Sequence, residues 1–331
     1  MPLKRRLFST FRCLQHDNPL GLPRSGTPPS FPRRRGLPEK RKIRDVKKVI
    51  AVSSAKGGVG KSTIAVNLAL SFARRGIRTG ILDTDIFGPS IPTLLNLSGE
   101  PRLDDNNCLI PLTNYGLKSM SMGYLLPPND STSTPHESGR LPMDTTPISW
   151  RGLMVTKAMH QLLHSVSWGP LDVLFLDLPP GTGDVQLTIN QEIILDGAVI
   201  VTTPQDIALR DAVRGFGMFQ RMDVPVLGMV RNMAFFACPE CGHQTRIFSH
   251  GLHEHKHEHG STAEGDWGVL AECKRLGVEF LGDIPLDARV CEDADRGVPT
   301  VVAEEGAEGS VRREAFMGVA KKVAAKVGIE W

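Results

Sequence analysis

The densest chemistry in this 331-residue chain lies in eight consecutive residues, Lys56-Gly57-Gly58-Val59-Gly60-Lys61-Ser62-Thr63. Glycines let backbone N–H groups turn inward around phosphate oxygens. A helix that starts at the end of such a loop adds positive potential. Lys61 is placed to pair with the β- and γ-phosphates of a nucleotide, and the Ser62 hydroxyl to ligate Mg2+. The general pattern opens with Gly five places before Gly60; here that position is Ala55, and the rest of the pattern stands. Two acidic segments complete the set: Asp83-Thr84-Asp85, and Asp177-Leu178-Pro179-Pro180-Gly181-Thr182-Gly183-Asp184. Each follows a short apolar run. Asp177 is placed to hold the Mg2+ shell, and Gly181 to let its segment move when a γ-phosphate leaves.

A second constellation is Cys238-Pro239-Glu240-Cys241. Two thiolates at this spacing cannot complete a four-ligand site, but two copies across a two-fold axis can. On spacing alone, zinc and an iron–sulfur cluster fit equally, and a redox disulfide is a further reading. Cys108, Cys273 and Cys291 lie outside the pair and read as core or surface thiols. The His-rich run 249–266 has no defined ligand geometry and reads as a solvated loop.

The elements that must position these groups alternate. Val49 to Val52 is a continuous apolar run, the signature of a strand covered on both faces. A helix is expected over 61–75, stopped by Gly76, then a strand from Arg78 to Leu82. Further helices are expected over 151–166, 206–222, 264–276 and 308–327. Further strands are expected at Asp172–Leu176, Val199–Thr202, Val226–Val230 and Phe280–Leu281. This order implies an α/β, doubly wound, mostly parallel sheet with helices on both faces, binding its ligands at the strand ends. Residues 126–147, rich in Pro, Ser and Thr, read as a surface insert.

Composition is that of an ordinary globular chain, with 40% hydrophobic and 23% charged residues. No apolar run reaches the ~18 residues a membrane span needs. Residues 1–48 hold 14 Lys/Arg and 3 Asp/Glu, leaving 25 basic and 33 acidic residues in the rest of the chain. A mildly acidic body argues against nucleic-acid binding. The leader, residues 1–40, is Arg-rich and acid-poor. A helix over Leu3 to Leu14 would align Leu3, Leu7, Phe11 and Leu14, the pattern of a mitochondrial transit peptide. Cys13 lies in this leader and is given no role. In the last helix, Lys321, Lys322 and Lys326 beside Val319, Val323 and Val327 allow at most peripheral membrane contact.

The second lysine, Lys56, resembles the deviant Walker A subclass of MinD, ParA and the nitrogenase iron protein. That resemblance implies a homodimer in which Lys56 reaches the partner's nucleotide. It also implies that Asp85 orients the attacking water. Asp85-Ile86-Phe87-Gly88-Pro89-Ser90, the 177–184 segment, Thr202-Thr203-Pro204-Gln205-Asp206, Asn232-Met233 and Gly282-Asp283-Ile284-Pro285-Leu286-Asp287 narrow it further. Over residues 46–327 they resemble the Mrp/ApbC family of iron–sulfur carrier ATPases. The resemblance implies ATP and Mg2+ at 56–63, adenine held by Asn232, and a [4Fe–4S] cluster on Cys238 and Cys241 of both copies. Arg231 stands where the family often has an acid. The basic presequence is most similar to the mitochondrial member, which implies delivery of clusters to complex I subunits in the matrix. Two other readings remain: a ParA/MinD-like positioning ATPase, and an ATPase dimer with structural zinc.

Overall fold

The computed structural model describes residues 40–86, 88–125, 152–181, 183–238, 241, 243–248, 268–307 and 309–331. The leader up to residue 39 and the inserts at 126–147 and 249–266 lie outside the described residues. In chain order the elements are β1 (Val46–Ser53), α1 (Lys61–Ala73), β2 (Thr79–Asp83), α2 (Ile91–Leu94), β3 (Leu112–Asn114) and β4 (Leu117–Ser121). After a 3-10 turn at Met122–Tyr124 come α3 (Gly152–His164), β5 (Leu171–Asp177), α4 (Asp184–Glu192), β6 (Gly197–Thr202), α5 (Asp206–Arg221) and β7 (Val226–Arg231). The last part holds β8 (Phe236–Ala237), β9 (Gln244–Thr245), α6 (Val269–Leu276), β10 (Phe280–Asp283), α7 (Ala288–Asp295), α8 (Thr300–Ala303) and α9 (Val311–Val327).

Eight strands form one sheet in the order β10-β7-β6-β1-β5-β2-β4-β3. Every neighbouring pair is parallel except β3 with β4. The alternation along β1 shows why its run is apolar throughout. Val49 and Ala51 enter one apolar cluster with Leu162 of α3, Ile189 of α4 and Phe216 of α5. Ile50 and Val52 enter the other, with Ile64 and Leu68 of α1 and Phe316 and Val323 of α9. A strand buried on both sides has no place for a polar face.

Among the described residues each expected strand and helix is present, with ends shifted by a few residues; the helix considered over Leu3 to Leu14 lies outside them. The sheet also contains β3 and β4, and α4 adds a helix after the 177–183 loop; none of these three was expected. The closing helix buries Val319, Val323 and Val327 in the second cluster. Its apolar stripe is therefore spent on the core and is not presented to a membrane. Among the described residues no helix is long and apolar enough to cross one.

Parallel strands bring their C-terminal ends to one edge. Asp83, the last residue of β2, is in register with Asp177, the last of β5, and Asp177 is also in register with Val52 of β1. The loop that leaves β1 therefore lies against both acidic strand ends.

Candidate functional site: a phosphate loop beside a cysteine hairpin

The loop from Ser54 to Gly60 joins β1 to α1. Gly58 and Gly60 hold φ of 77° and 81°, conformations that L side chains rarely adopt. Gly60 has a second constraint: a Cβ there would lie 2.3 Å from Asn232 Nδ2. Asn232 follows β7 directly, and its Nδ2 donates to the Val59 carbonyl at 2.8 Å. The Asn232 backbone N–H donates to the Thr202 carbonyl at 2.8 Å. Asn232 is thus pinned against the loop from the neighbouring strand end. Lys56 is half-buried at the start of the loop, and Gly57 and Gly58 are exposed.

Lys61 is buried at the first turn of α1. Its Nζ donates to Asp177 Oδ1 at 2.5 Å and lies 3.2 Å from Ser62 Oγ. Burial pushes the Asp177 carboxyl above the usual carboxylate range, against the pull of Lys61. Asp177 Oδ2 is buried and accepts no hydrogen bond. An unsatisfied carboxylate oxygen next to a Ser hydroxyl is a hard-oxygen donor set that fits Mg2+. Thr63 continues the first turn of α1 and accepts the Asn67 amide on its carbonyl at 2.9 Å.

The Asp177 backbone is held as firmly. Its carbonyl accepts the Thr84 N–H at 3.0 Å and the Thr84 hydroxyl at 2.7 Å. Gly181, at φ 97°, donates its N–H to the Ser54 carbonyl at 3.0 Å. The acidic loop after β5 is thereby tied to the base of the phosphate loop.

Asp83 is the residue that sequence reasoning left without a role. It is buried, and its Oδ1 accepts the Asp85 N–H at 3.0 Å. Its Oδ2 accepts the Ser121 hydroxyl at 3.0 Å and the Ile91 N–H at 3.3 Å. Burial and the Asp177 charge push the Asp83 carboxyl up to about 7. Both oxygens are committed inside the fold, so Asp83 shapes the 83–91 turn and Asp177 keeps an oxygen to offer. Asp85 is half-buried on that turn. The missed signal was Ser121, which only becomes a partner once β4 is known to lie beside β2.

Arg231 has a concrete place as well. It forms a two-pronged pair with Asp283, at 2.5 and 2.8 Å, and its guanidinium lies 5.2 Å from the Phe280 ring centre. Asp283 of β10, the neighbouring strand, thus places a carboxylate beside Arg231.

The cysteine pair lies on the short β8–β9 hairpin, which starts four residues past Asn232. Cys238 is half-buried and its N–H donates to the His243 carbonyl at 2.9 Å; Cys241 is exposed. Phe236 and Ile247, at 40% and 53% exposure, flank the pair with apolar surface. The hairpin is anchored to the Gly282–Asp287 segment. Ala234 donates to the Ile284 carbonyl at 3.0 Å and Leu286 to the Phe235 carbonyl at 2.8 Å. Cys273 is buried, Cys108 half-buried and Cys291 exposed, all apart from the pair.

The chain is similar to known proteins. Residues 45–324 match the family model described as ParA: NUBPL iron-transfer P-loop NTPase. The mouse iron–sulfur cluster transfer protein NUBPL is 45% identical over 291 residues, covering 87% of this chain and 80% of that protein. An Arabidopsis thaliana protein, the iron–sulfur protein required for NADH dehydrogenase, mitochondrial, is 40% identical over 85% of this chain and 79% of its own length. Among solved structures, the Archaeoglobus fulgidus nucleotide-binding protein in complex with ADP superimposes with a TM-score of 0.60 at 34% identity, over 78% of this chain and 89% of that one. Pyrococcus furiosus MinD shares the fold, with a TM-score of 0.55 at 16% identity over 84% of this chain and 98% of its own. A phosphate loop, two acidic strand ends and a paired-cysteine hairpin on this sheet, with a family match across most of the chain, establish that the protein belongs to the ParA-like NUBPL iron-transfer P-loop NTPases.

Proposed function

We propose that the protein is an ATP-dependent carrier that binds a [4Fe–4S] cluster between two copies of itself and delivers it to mitochondrial apoproteins, complex I subunits among them. The observation that carries this reading is the short path between the two sites, one hydrogen bond and six residues of chain. Cys238 is six residues past Asn232, and Asn232 is in contact with the phosphate loop. The relatives are named for iron–sulfur transfer and for a mitochondrial NADH dehydrogenase requirement, which supports both the cargo and the clients. The matrix is the location those clients and the basic leader suggest.

The residues divide the work as follows. Gly57 to Thr63 would wrap the nucleotide phosphates, with Lys61 moving from Asp177 to the β- and γ-phosphates. Ser62 and Asp177 would hold Mg2+, which supplies charge neutralisation at the phosphates when bound. Asp85 would orient the attacking water. Lys56 would stabilise the transferring phosphate of the partner's nucleotide, making dimerisation a condition for hydrolysis. Asn232 would donate to the adenine and report the nucleotide to the hairpin. Cys238 and Cys241 from each copy would give the cluster its four thiolates. Hydrolysis is slow and gates release.

Cluster transfer to an apo-acceptor tests this. Protein loaded anaerobically should pass its cluster to an apo-ferredoxin faster or slower with MgATP than without it. Lys61→Ala should transfer at one rate under both conditions. Transfer by the parent that ignores nucleotide would refute the gating.

A further inference from the structure

A third group of metal-ligand side chains lies away from both sites. His160 and His164 are one turn apart on α3, so their rings share a face, with centres 4.6 Å apart. Glu192, the last residue of α4, meets them from the other side. One ligand atom from each of the three lies within 4.8 Å of the other two. Glu192 Oε2 is buried, lies 3.5 Å from His164 Nε2, and accepts no hydrogen bond of normal geometry. We propose that His160, His164 and Glu192 form a binding site for a borderline divalent cation of the Zn2+ or Co2+ kind.

Two imidazoles and one carboxylate are a three-ligand set that zinc accepts, with water in the fourth position. Ligand atoms on a tetrahedron of ~2.1 Å bonds are ~3.4 Å apart, so the atoms here, within 4.8 Å of one another, must draw in by at most about 1.4 Å. The exposed His160 ring has that freedom, because only His164 and Glu192 are half-buried. The Glu192 backbone is already fixed: its carbonyl accepts the Arg41 N–H at 2.8 Å. A simple ion pair between His164 and Glu192 would explain those two residues, and the 3.5 Å approach of Glu192 Oε2, but not the second imidazole of His160 on the same face. Arg41 is the opposing charge near the site; it is exposed, so solvent and salt weaken its repulsion. The ion would join the end of α3 to the end of α4, the helix that follows the acidic loop at Asp177–Gly183.

Co2+ titration of the full chain, read by d–d absorption and calorimetry, tests the site. Competing ligands are removed first by Cys238→Ser, Cys241→Ser and alanine at His250, His253, His255, His257 and His259. One Co2+ per chain with a tetrahedral spectrum is expected. Adding His160→Ala alone should weaken binding by tenfold or more, as should Glu192→Gln alone, and His160→Ala with His164→Ala should abolish it. Each of the single variants changes one side chain at the helix surface or keeps its shape, so the fold is retained and is checked by circular dichroism. No Co2+ bound in the parent background, or the same affinity and spectrum in His160→Ala and Glu192→Gln, would overturn the proposal.

Discussion

The phosphate loop and the cysteine hairpin meet through Asn232 and are built on opposite terms. At the phosphate loop the groups are buried and bonded within one chain: Lys61 to Asp177, Asp83 to Ser121, Asn232 to Val59. At the hairpin the ligands lie at the surface, flanked by exposed Phe236 and Ile247. A buried site is paid for by folding, and its geometry exists before any ligand arrives. A surface pair of thiols is only half a tetrahedral site, and a second copy of the same surface supplies the rest most simply. On the proposed function, the difference assigns nucleotide binding to the monomer and the cargo to the dimer.

The sharpest way to break this comparison is Cys238→Ser. It should remove all iron after reconstitution while changing stability by less than about 0.5 kcal/mol, since the residue contributes little to the core. Iron analysis and thermal unfolding read the two effects. A variant that keeps its iron would remove Cys238 from the ligand set.

Lys61→Ala should show the reverse. Losing a charged contact to phosphate weakens MgATP binding roughly 10- to 100-fold. It also leaves Asp177 buried without its partner, at a cost of about 3 kcal/mol. Adding Asp177→Asn should recover part of that stability, because the unpaired charge is gone. Iron loading should survive in both variants. Calorimetric titration with nucleotide and denaturant unfolding separate the terms.

Gly60→Ala probes the contact between the two regions. A left-handed residue and a Cβ 2.3 Å from Asn232 must force Asn232 away from the loop. The expected loss is ~1–3 kcal/mol of stability, with weaker nucleotide binding and intact iron loading.

The smallest effect is a control at the far end of β5. Asp172 is the second residue of the strand that Asp177 closes, and hydrogen bonds from Arg78 and Lys47 hold its carboxyl well below the usual range. A depressed folded pKa adds stability above the unfolded value of ~3.9, lost as pH falls through the folded one. Asp172→Asn should flatten the acid limb of the stability profile without touching nucleotide or iron.

What was legible followed from locality. Residues 56–63 declare themselves because eight adjacent positions must agree, and β1, β5 and β6 because strands covered on both faces are apolar throughout. Strand β4 escaped notice because it buries Ser119 and Ser121 beside Leu117 and Met120. Helix α4 escaped because it is polar and buries Gln186 and Asn190. The role of Asp83 depended on β4, so one omission caused the other. The Arg231–Asp283 pair spans 52 positions, and Glu192 reaches His164 only through the packing of α3 and α4. Such partners are set by topology and leave no local spacing to read.

The most direct measurement is anaerobic native mass spectrometry of the full chain after reconstitution with iron and sulfide. The account predicts two chains carrying four irons and four sulfides, and monomers without iron in Cys238→Ser and in Cys241→Ser. A cluster held by a single chain, or one zinc per dimer with no iron taken up, would contradict it.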